Sequence, residues 1–263
     1  MKNIAIITGA SSGIGKEFTY QVAQKYTFDE IIIIARREDK LKEIAAEINS
    51  KAGKDLVRPV PMDITGKEGA ERFKNFIQGE KDFYIGLLIN NAGFGTYGPF
   101  AETSITRQME MIDLNCISLT GICGASLPYL KKGSVIINTA SLAAFLPLGN
   151  FAVYAASKSY VLSFSIALAA ELKDKGIKVC ALCPGSVSSE FANVASNGAR
   201  KEVKGGFPPQ KVVAQCLKRA FKGKKVSLYR TKWNITAFMS HFLGRYVCAR
   251  YTYKYNKRPH NPD

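Results

Sequence analysis

Nowhere in the 263-residue chain do about 18 consecutive apolar residues occur, the length a membrane-spanning helix requires, so no spanning segment is expected. Lys2 is followed only by the short apolar run 4–7 before a polar, glycine-rich stretch, too little for the core of a secretion signal. The expectation is a chain made and kept in the cytoplasm. Histidine is nearly absent, with two residues, and the six cysteines include a single Cys-x-x-Cys spacing, Cys180 and Cys183. A zinc site would need a second pair of ligands. This pair lies in an apolar run that reads as a strand, where residues three apart face opposite ways. The cysteines are therefore read as small buried hydrophobes, and no metal is expected. Acidic residues are scarce at one end only: residues 200–263 carry 16 Lys and Arg against two acids, so +14 of the net +16 falls there. The first 199 residues are nearly neutral, and the basic charge belongs to the last quarter of the chain.

What is present is an alternation. Apolar, β-branched runs near 4–8, 31–35, 57–61, 86–90, 134–139 and 177–183 are separated by amphipathic stretches such as 15–25, 39–50, 106–129 and 152–173. Alternation of this kind predicts an α/β fold with a doubly wound, mostly parallel sheet. No repeat or long linker divides it, so one domain is expected over 1–230, followed by a basic, amphipathic C-terminal extension over 231–263.

Between the first strand and the first helix stands Thr8-Gly9-Ala10-Ser11-Ser12-Gly13-Ile14-Gly15. A parallel sheet binds a dinucleotide pyrophosphate at such a turn, because glycines let the backbone approach the phosphates and the helix offers free N–H groups. The spacing is GxxxGxG, and Lys16-Glu17 lacks the Ser or Thr of a nucleoside-triphosphate loop. The second strand ends Ala35-Arg36-Arg37, where an NAD enzyme of this architecture would place a carboxylate on the adenosine ribose. Two guanidiniums suit a 2′-phosphate instead, which favours NADP(H) over the plainer view of a solvated loop.

Tyr154 and Lys158 are four residues apart at the start of a helix and share one face. A free phenol with a pKa of about 10 is a poor base, and a nearby ammonium stabilises its phenolate. Taken alone, the pair is equally compatible with mere surface spacing. It does not stand alone. Thr8 to Gly15, Asn90-Asn91-Ala92-Gly93, Asn115, Ser141, Tyr154, Lys158 and Pro184-Gly185 follow in the order and spacing of the short-chain dehydrogenase/reductase family, which the chain resembles over about residues 1–230. The resemblance implies that Tyr154 transfers the proton and Ser141 hydrogen-bonds the substrate oxygen. It gives Lys158 the nicotinamide ribose and the tuning of Tyr154, and Asn115 a water in the proton relay. It also implies cofactor contacts from Gly9, Ser11, Ser12, Gly13, Ile14 and Gly15, from Arg36, Arg37, Asp63 and Ile64, and from Asn91, Ala92 and Gly93. Pro184, Gly185, Val187 and Ser189 complete that set, with Ser189 where the family often has threonine, and Asn90 is expected to steady the sheet. The reaction implied is metal-free hydride transfer between NADP(H) and a carbonyl or secondary alcohol, with reduction the default direction.

Aromatic residues follow the strand ends: Phe94, Tyr97 and Phe100 after the fourth, Phe145 and Phe151 before Tyr154, and Phe191 after Pro184-Gly185. With Ser141 they suggest a pocket for a bulky hydrophobic ketone, a hydroxysteroid or bile acid, or for a 3-oxoacyl thioester; the plainer alternative is that several of them only pack the loops. Steroid or lipid metabolism is the expected setting. Gly198, Gly205, Gly206, Pro208 and Pro209 make 186–209 resemble a lid. Beyond Trp233, Ile235, Met239, Phe242 and Tyr246 recur at helical spacing among basic residues. Packing on the body or a sister subunit is the first expectation there, lipid contact the second, and nucleic acid is not expected. The family likeness makes a homodimer or homotetramer the expected assembly. A protein of another class, a nicotinamide-binding sensor or membrane-associated scaffold without turnover, is opposed by the intact Ser141, Tyr154 and Lys158.

Overall fold

Four consecutive isoleucines, Ile31 to Ile34, are fully buried in β2 (Glu30–Ala35), as a strand covered on both faces requires. The computed structural model describes residues 1–201 and 205–261. Its centre is a seven-stranded sheet, every pair parallel, in the order β3-β2-β1-β4-β5-β6-β7. The other strands are β1 (Lys2–Thr8), β3 (Val57–Pro61), β4 (Phe83–Asn90), β5 (Leu130–Thr139), β6 (Lys178–Leu182) and β7 (Val226–Ser227). Pro59 and Pro61, which lack an N–H for a ladder, sit in β3 at the sheet edge, where one side needs no partner. Chain order reverses between β1 and β4, and the crevice past their carboxyl ends is the binding position of such a sheet.

One helical layer contains α1 (Gly13–Lys25), α2 (Glu38–Ala52) and α8 (Pro209–Phe221). The other contains α3 (Gly66–Gly79), α4 (Ile105–Ile112), α5 (Leu119–Ser126) and α6 (Ala152–Glu171). The doubly wound parallel fold is as the sequence predicts. The expected single helix over 106–129 is instead interrupted: a π-helical turn, Asp113–Ser118, separates α4 from α5. Such a turn inserts one residue and re-aims the side chains within it, among them Asn115. By length and mean hydropathy, Ile105–Tyr129 and Ala152–Glu171 would suit a bilayer. Their buried sides nevertheless carry Asn115, Tyr154 and Lys158 into the protein, so these are core helices.

The segment 186–209 contains the short α7 (Phe191–Ala195) and is tied at its base, where Ser188 N donates to Phe207 O at 2.9 Å and Phe207 N to Ser186 O at 3.0 Å. After β7 come α9 (Thr231–Met239) and α10 (Arg245–Tyr255). Here the expected inner face is not observed. Trp233, Ala237 and Ser240 turn to the body, while Ile235, Met239, Phe242 and Tyr246 are exposed, Tyr246 at 79%. The helix stops at Met239, so the periodicity read across 235–246 joins two helices of different phase. Trp233 lies against Gly185, and α10 lies against Gly149, where any Cβ would come within 2.5 Å of Tyr253 Cβ.

Candidate active site

The loop after β1 is a cradle that only glycine fits. Gly9 has φ +65°, and a Cβ there would stand 2.8 Å from Ala92 Cα; a Cβ on Gly15 would meet Gly9 O at 2.1 Å. Gly13 opens α1 with φ +53° and faces Ser189, whose Cβ would lie 3.1 Å from an added Cβ. The loop backbone and the start of a 13-residue helix thus line the crevice without side chains in the way, which fits a dinucleotide pyrophosphate. Ser11, Ser12 and Ile14 stay partly accessible there. Thr8, which opens the glycine motif and for which the sequence suggested no separate role, fixes the neighbouring loop: its Oγ1 accepts from Asn91 N at 3.0 Å and from Ala92 N at 3.1 Å. Asn91 Nδ2 returns to Thr8 O and Gly9 O.

At the adenosine end, Arg37 donates to Ser11 Oγ at 3.2 and 3.1 Å and pairs with Glu190 at 2.9 Å. Arg37 therefore joins the glycine loop to the segment 186–209. Arg36 is exposed and has no ion-pair partner among the described residues, and its charge reaches Asp63. Burial works to raise the Asp63 carboxyl, but hydrogen bonds from Thr65 and the charges of Arg36 and Arg72 outweigh it and hold the group low. The side chains of Ile64 and Val187, also expected at the cofactor, are buried and pack on the main core.

Asn115 is held by both ends of its amide. Phe94 N donates to Oδ1 at 3.1 Å, and Nδ2 donates to Phe94 O and to Ser157 Oγ, both at 3.0 Å. Gly93 lies between Asn115 and Lys158, where an added Cβ would be 2.7 Å from Asn115 Oδ1 and 3.2 Å from Lys158 Nζ. Asn90 Nδ2 donates to Asn138 Oδ1 at 2.9 Å, joining β4 to β5 by a side-chain bridge. Cys180 and Cys183 are both buried free thiols, Cys180 beside Cys216 on α8 and Cys183 beside Ser141.

Ser141, Tyr154 and Lys158 converge. The Ser141 hydroxyl faces Tyr154, where it favours the phenolate; it donates to Pro184 O at 3.5 Å and accepts from Ala143 N at 3.1 Å. Lys158 Nζ lies 5.7 Å from the centre of the Tyr154 ring. Burial pushes Tyr154 up to about 12, against the lowering effect of Ser141, and brings Lys158 down to about 8. The expected lowering of the phenol by the ammonium is not the dominant effect in this arrangement. Lys158 Nζ donates to Thr139 O at 2.9 Å, and each group is withdrawn from water, which disfavours both charged forms.

Around Tyr154 lies an apolar cluster separate from the main core. Phe151 stacks on the Tyr154 ring at 4.1 Å, Phe191 approaches it at 5.4 Å, Tyr97 meets Phe151 at 4.7 Å, and Phe94 packs alongside. Phe145 does not join them; it packs on the main core. Phe100 is exposed. The cluster has one member that no local pattern marked, Arg258, whose guanidinium lies 4.6 Å from the centre of Phe151 and 5.0 Å from that of Tyr97.

A parallel sheet with a glycine cradle at its switch point and a serine, a tyrosine and a lysine gathered beyond it defines a nicotinamide-dependent oxidoreductase acting between CH–OH and C=O. The chain belongs to the short-chain dehydrogenase/reductase family, whose model for short chain dehydrogenases matches residues 3–199. It is 33% identical over 202 residues to the mouse 17-beta-hydroxysteroid dehydrogenase type 3, covering 75% of this chain and 64% of that one. It is 30% identical to the very-long-chain 3-oxoacyl-CoA reductase of Pyrenophora tritici-repentis, covering 94% of this chain and 71% of that one. Among solved structures, a short-chain dehydrogenase from Sphingobium yanoikuyae in complex with NADPH superposes with a TM-score of 0.78 at 25% identity, covering 91% of this chain and 94% of the other. A Burkholderia phymatum member in complex with NAD shares the fold, with a TM-score of 0.81 at 20% identity over 99% and 97% of the two chains.

Proposed function

We propose that the chain is an NADP(H)-dependent reductase of bulky hydrophobic ketones, of the hydroxysteroid class, with Tyr154 as proton donor. The observation that carries this reading is the aromatic enclosure of Tyr154 by Phe94, Phe151, Phe191 and Tyr97, which suits an apolar substrate and keeps the phenol protonated. When bound, the nicotinamide supplies or accepts the hydride. Ser141, oriented by Ala143 N, directs its hydroxyl to the oxygen on which charge develops. Tyr154 delivers the proton to that same oxygen, and a phenol raised by burial surrenders it only to an oxygen becoming alkoxide. Lys158, bonded to Thr139 O, presents its remaining N–H groups to the crevice. Asn115 fixes the backbone of Phe94, one wall of the pocket. NADP(H) is favoured by Arg36, an exposed guanidinium past the end of β2 with no ion pair among the described residues. The mouse relative and the NADPH complex from Sphingobium support the same reading.

The 3-oxoacyl thioester alternative has an observation of its own: the fungal relative's match extends over 94% of the chain and so into the C-terminal segment. Initial rates of NADPH oxidation with androst-4-ene-3,17-dione and with a long-chain 3-oxoacyl-CoA, side by side, separate the two. Steroid reduction with little thioester turnover is expected; inactivity on both overturns the reading.

Two further parts belong to this proposal. Ile235, Phe238, Phe242 and Tyr246 stand exposed beside Lys232, Arg245 and Arg250, a surface suited to peripheral contact with anionic lipid. Cosedimentation with phosphatidylserine vesicles, but not with phosphatidylcholine vesicles, is expected. Ile117 and Tyr160, both exposed, line an apolar groove with Cys116 and Ala156 that is suited to a second copy of the chain, and light scattering is expected to give at least a dimer.

A further inference from the structure

Arg258 arrives at the catalytic pocket from the far end of the sequence, 104 residues after Tyr154. Its position is set from both sides. Upstream, Gly149 N donates to Thr252 Oγ1 at 2.8 Å and Asn150 Nδ2 to Tyr253 O at 3.0 Å, seating the end of α10 on the loop before Tyr154. Downstream, Asn261 N donates to Ser196 O at 3.0 Å and its Nδ2 to Asn197 O at 2.9 Å, pinning the tail to the lid segment. Between these ties the half-buried guanidinium spans Phe151 and Tyr97, and its charge acts on Tyr154.

What it lacks is an acceptor. Among the described residues no carboxylate pairs with Arg258 and no oxygen receives its N–H groups, and another cation, Arg200, acts on it. Glu190, the acid of the segment that precedes Phe191, is paired with Arg37. Withdrawing a guanidinium from water without an acceptor is unfavourable, and contact with aromatic faces offsets only part of that cost. The planar fork matches a carboxylate with two parallel hydrogen bonds.

We propose that Arg258 is the anion-binding subsite of the catalytic pocket, and that the preferred substrate is a hydrophobic ketone bearing a carboxylate close to the reacting carbonyl. This rests on the reading of Tyr154 as proton donor to a ketone, and it narrows that reading to acids. The carboxylate would lie against Arg258 while the apolar body enters among Phe94, Phe151 and Phe191, parting the rings that pack on Tyr154. Arg258 would thus decide which ketone is held, and Tyr154 and Ser141 what happens to it.

The test uses the full chain with NADPH and two readouts. In the first, 4-phenylbutanoate and 4-phenylbutanamide, which have no ketone to reduce, are titrated calorimetrically. The acid is expected to bind at least tenfold more tightly than the amide. Arg258→Met, which keeps an apolar stem on the rings, should bring that ratio to near one, and Arg258→Lys should retain part of it. In the second, 4-oxo-4-phenylbutanoate is compared with its methyl ester in kcat/KM, with the same pattern of ratios expected. Equal affinity for acid and amide in the unmodified protein, or a ratio untouched by Arg258→Met, overturns the proposal. A rise in turnover of acid and ester alike in Arg258→Met also overturns it, since that is the mark of a plug. Selective acid binding without NADPH oxidation would leave the subsite standing and remove the reductase reading. Equal reduction of acid and ester would do the reverse.

Discussion

The sheet and the C-terminal segment are built on opposite principles. In the sheet, Ile4 to Ile7, Ile31 to Ile34 and Leu87 to Ile89 have essentially no exposure, and the catalytic groups stand beside it, Ser141 just past β5 and Tyr154 and Lys158 on the buried side of α6. In α9 and α10, most large apolar side chains face outward, basic residues replace acids, and contact with the body passes through a few places such as Gly185 and Gly149. The difference separates two tasks. Chemistry is carried by the part whose positions are over-determined by packing, and the rim of the pocket by a part held at a few ties. Regions of the second kind open at lower free energy than a packed core.

That contrast can be broken or sharpened by four changes. The largest effect is expected from Tyr154→Phe, which removes the proton donor: kcat should fall by about 10³-fold or more, within the range of general-acid catalysis and loss of a shared network. NADPH affinity should stay within a few-fold by fluorescence titration. Retained turnover would move the chemistry out of the sheet-borne site.

Next comes Lys158→Met. A lysine brought from its ordinary 10.5 down to about 8 by burial carries an unfavourable contribution of about 3 kcal/mol below pH 8. Between pH 8 and 10.5 the unfolded chain binds more protons at this site, so wild-type stability rises with pH there. The variant should therefore be more stable than wild type at pH 7, by up to about 3 kcal/mol in denaturant titrations, and the gain should vanish above pH 10.5. A gain independent of pH would contradict the burial of a charge.

Gly149→Val tests the segment itself. The new side chain would overlap Tyr253 and Ala249 O, at a cost of about 1–3 kcal/mol for overpacking. Hydrogen exchange should accelerate over 245–261 while β1, β4 and β5 keep their protection. Uniform destabilisation would mean that the two regions fold as one. The smallest effect is expected from Arg36→Asp, a shift of about tenfold in the ratio of kcat/KM for NADPH over NADH, or roughly 1.4 kcal/mol. An unchanged ratio would remove Arg36 from cofactor choice.

The sequence by itself determined the parallel sheet and the cradle. Isoleucine runs report burial on both faces, and a glycine whose Cβ would strike Ala92 has no substitute, so both constraints are local and leave a local mark. It also placed Ser141, Tyr154 and Lys158 within one loop and helix. Only the tertiary structure decided the rest. The π-helical turn that aims Asn115 leaves no periodic signature distinct from an ordinary helix. Phe145 and Phe151, six residues apart, divide between core and pocket because the chain turns between them. The exposure of Ile235 and Phe242 depends on a break after Met239 that spacing alone does not show. Above all, Arg258 reaches Phe151 across 107 positions, and a contact that distant is set by the path of the whole chain and by no pattern within either segment.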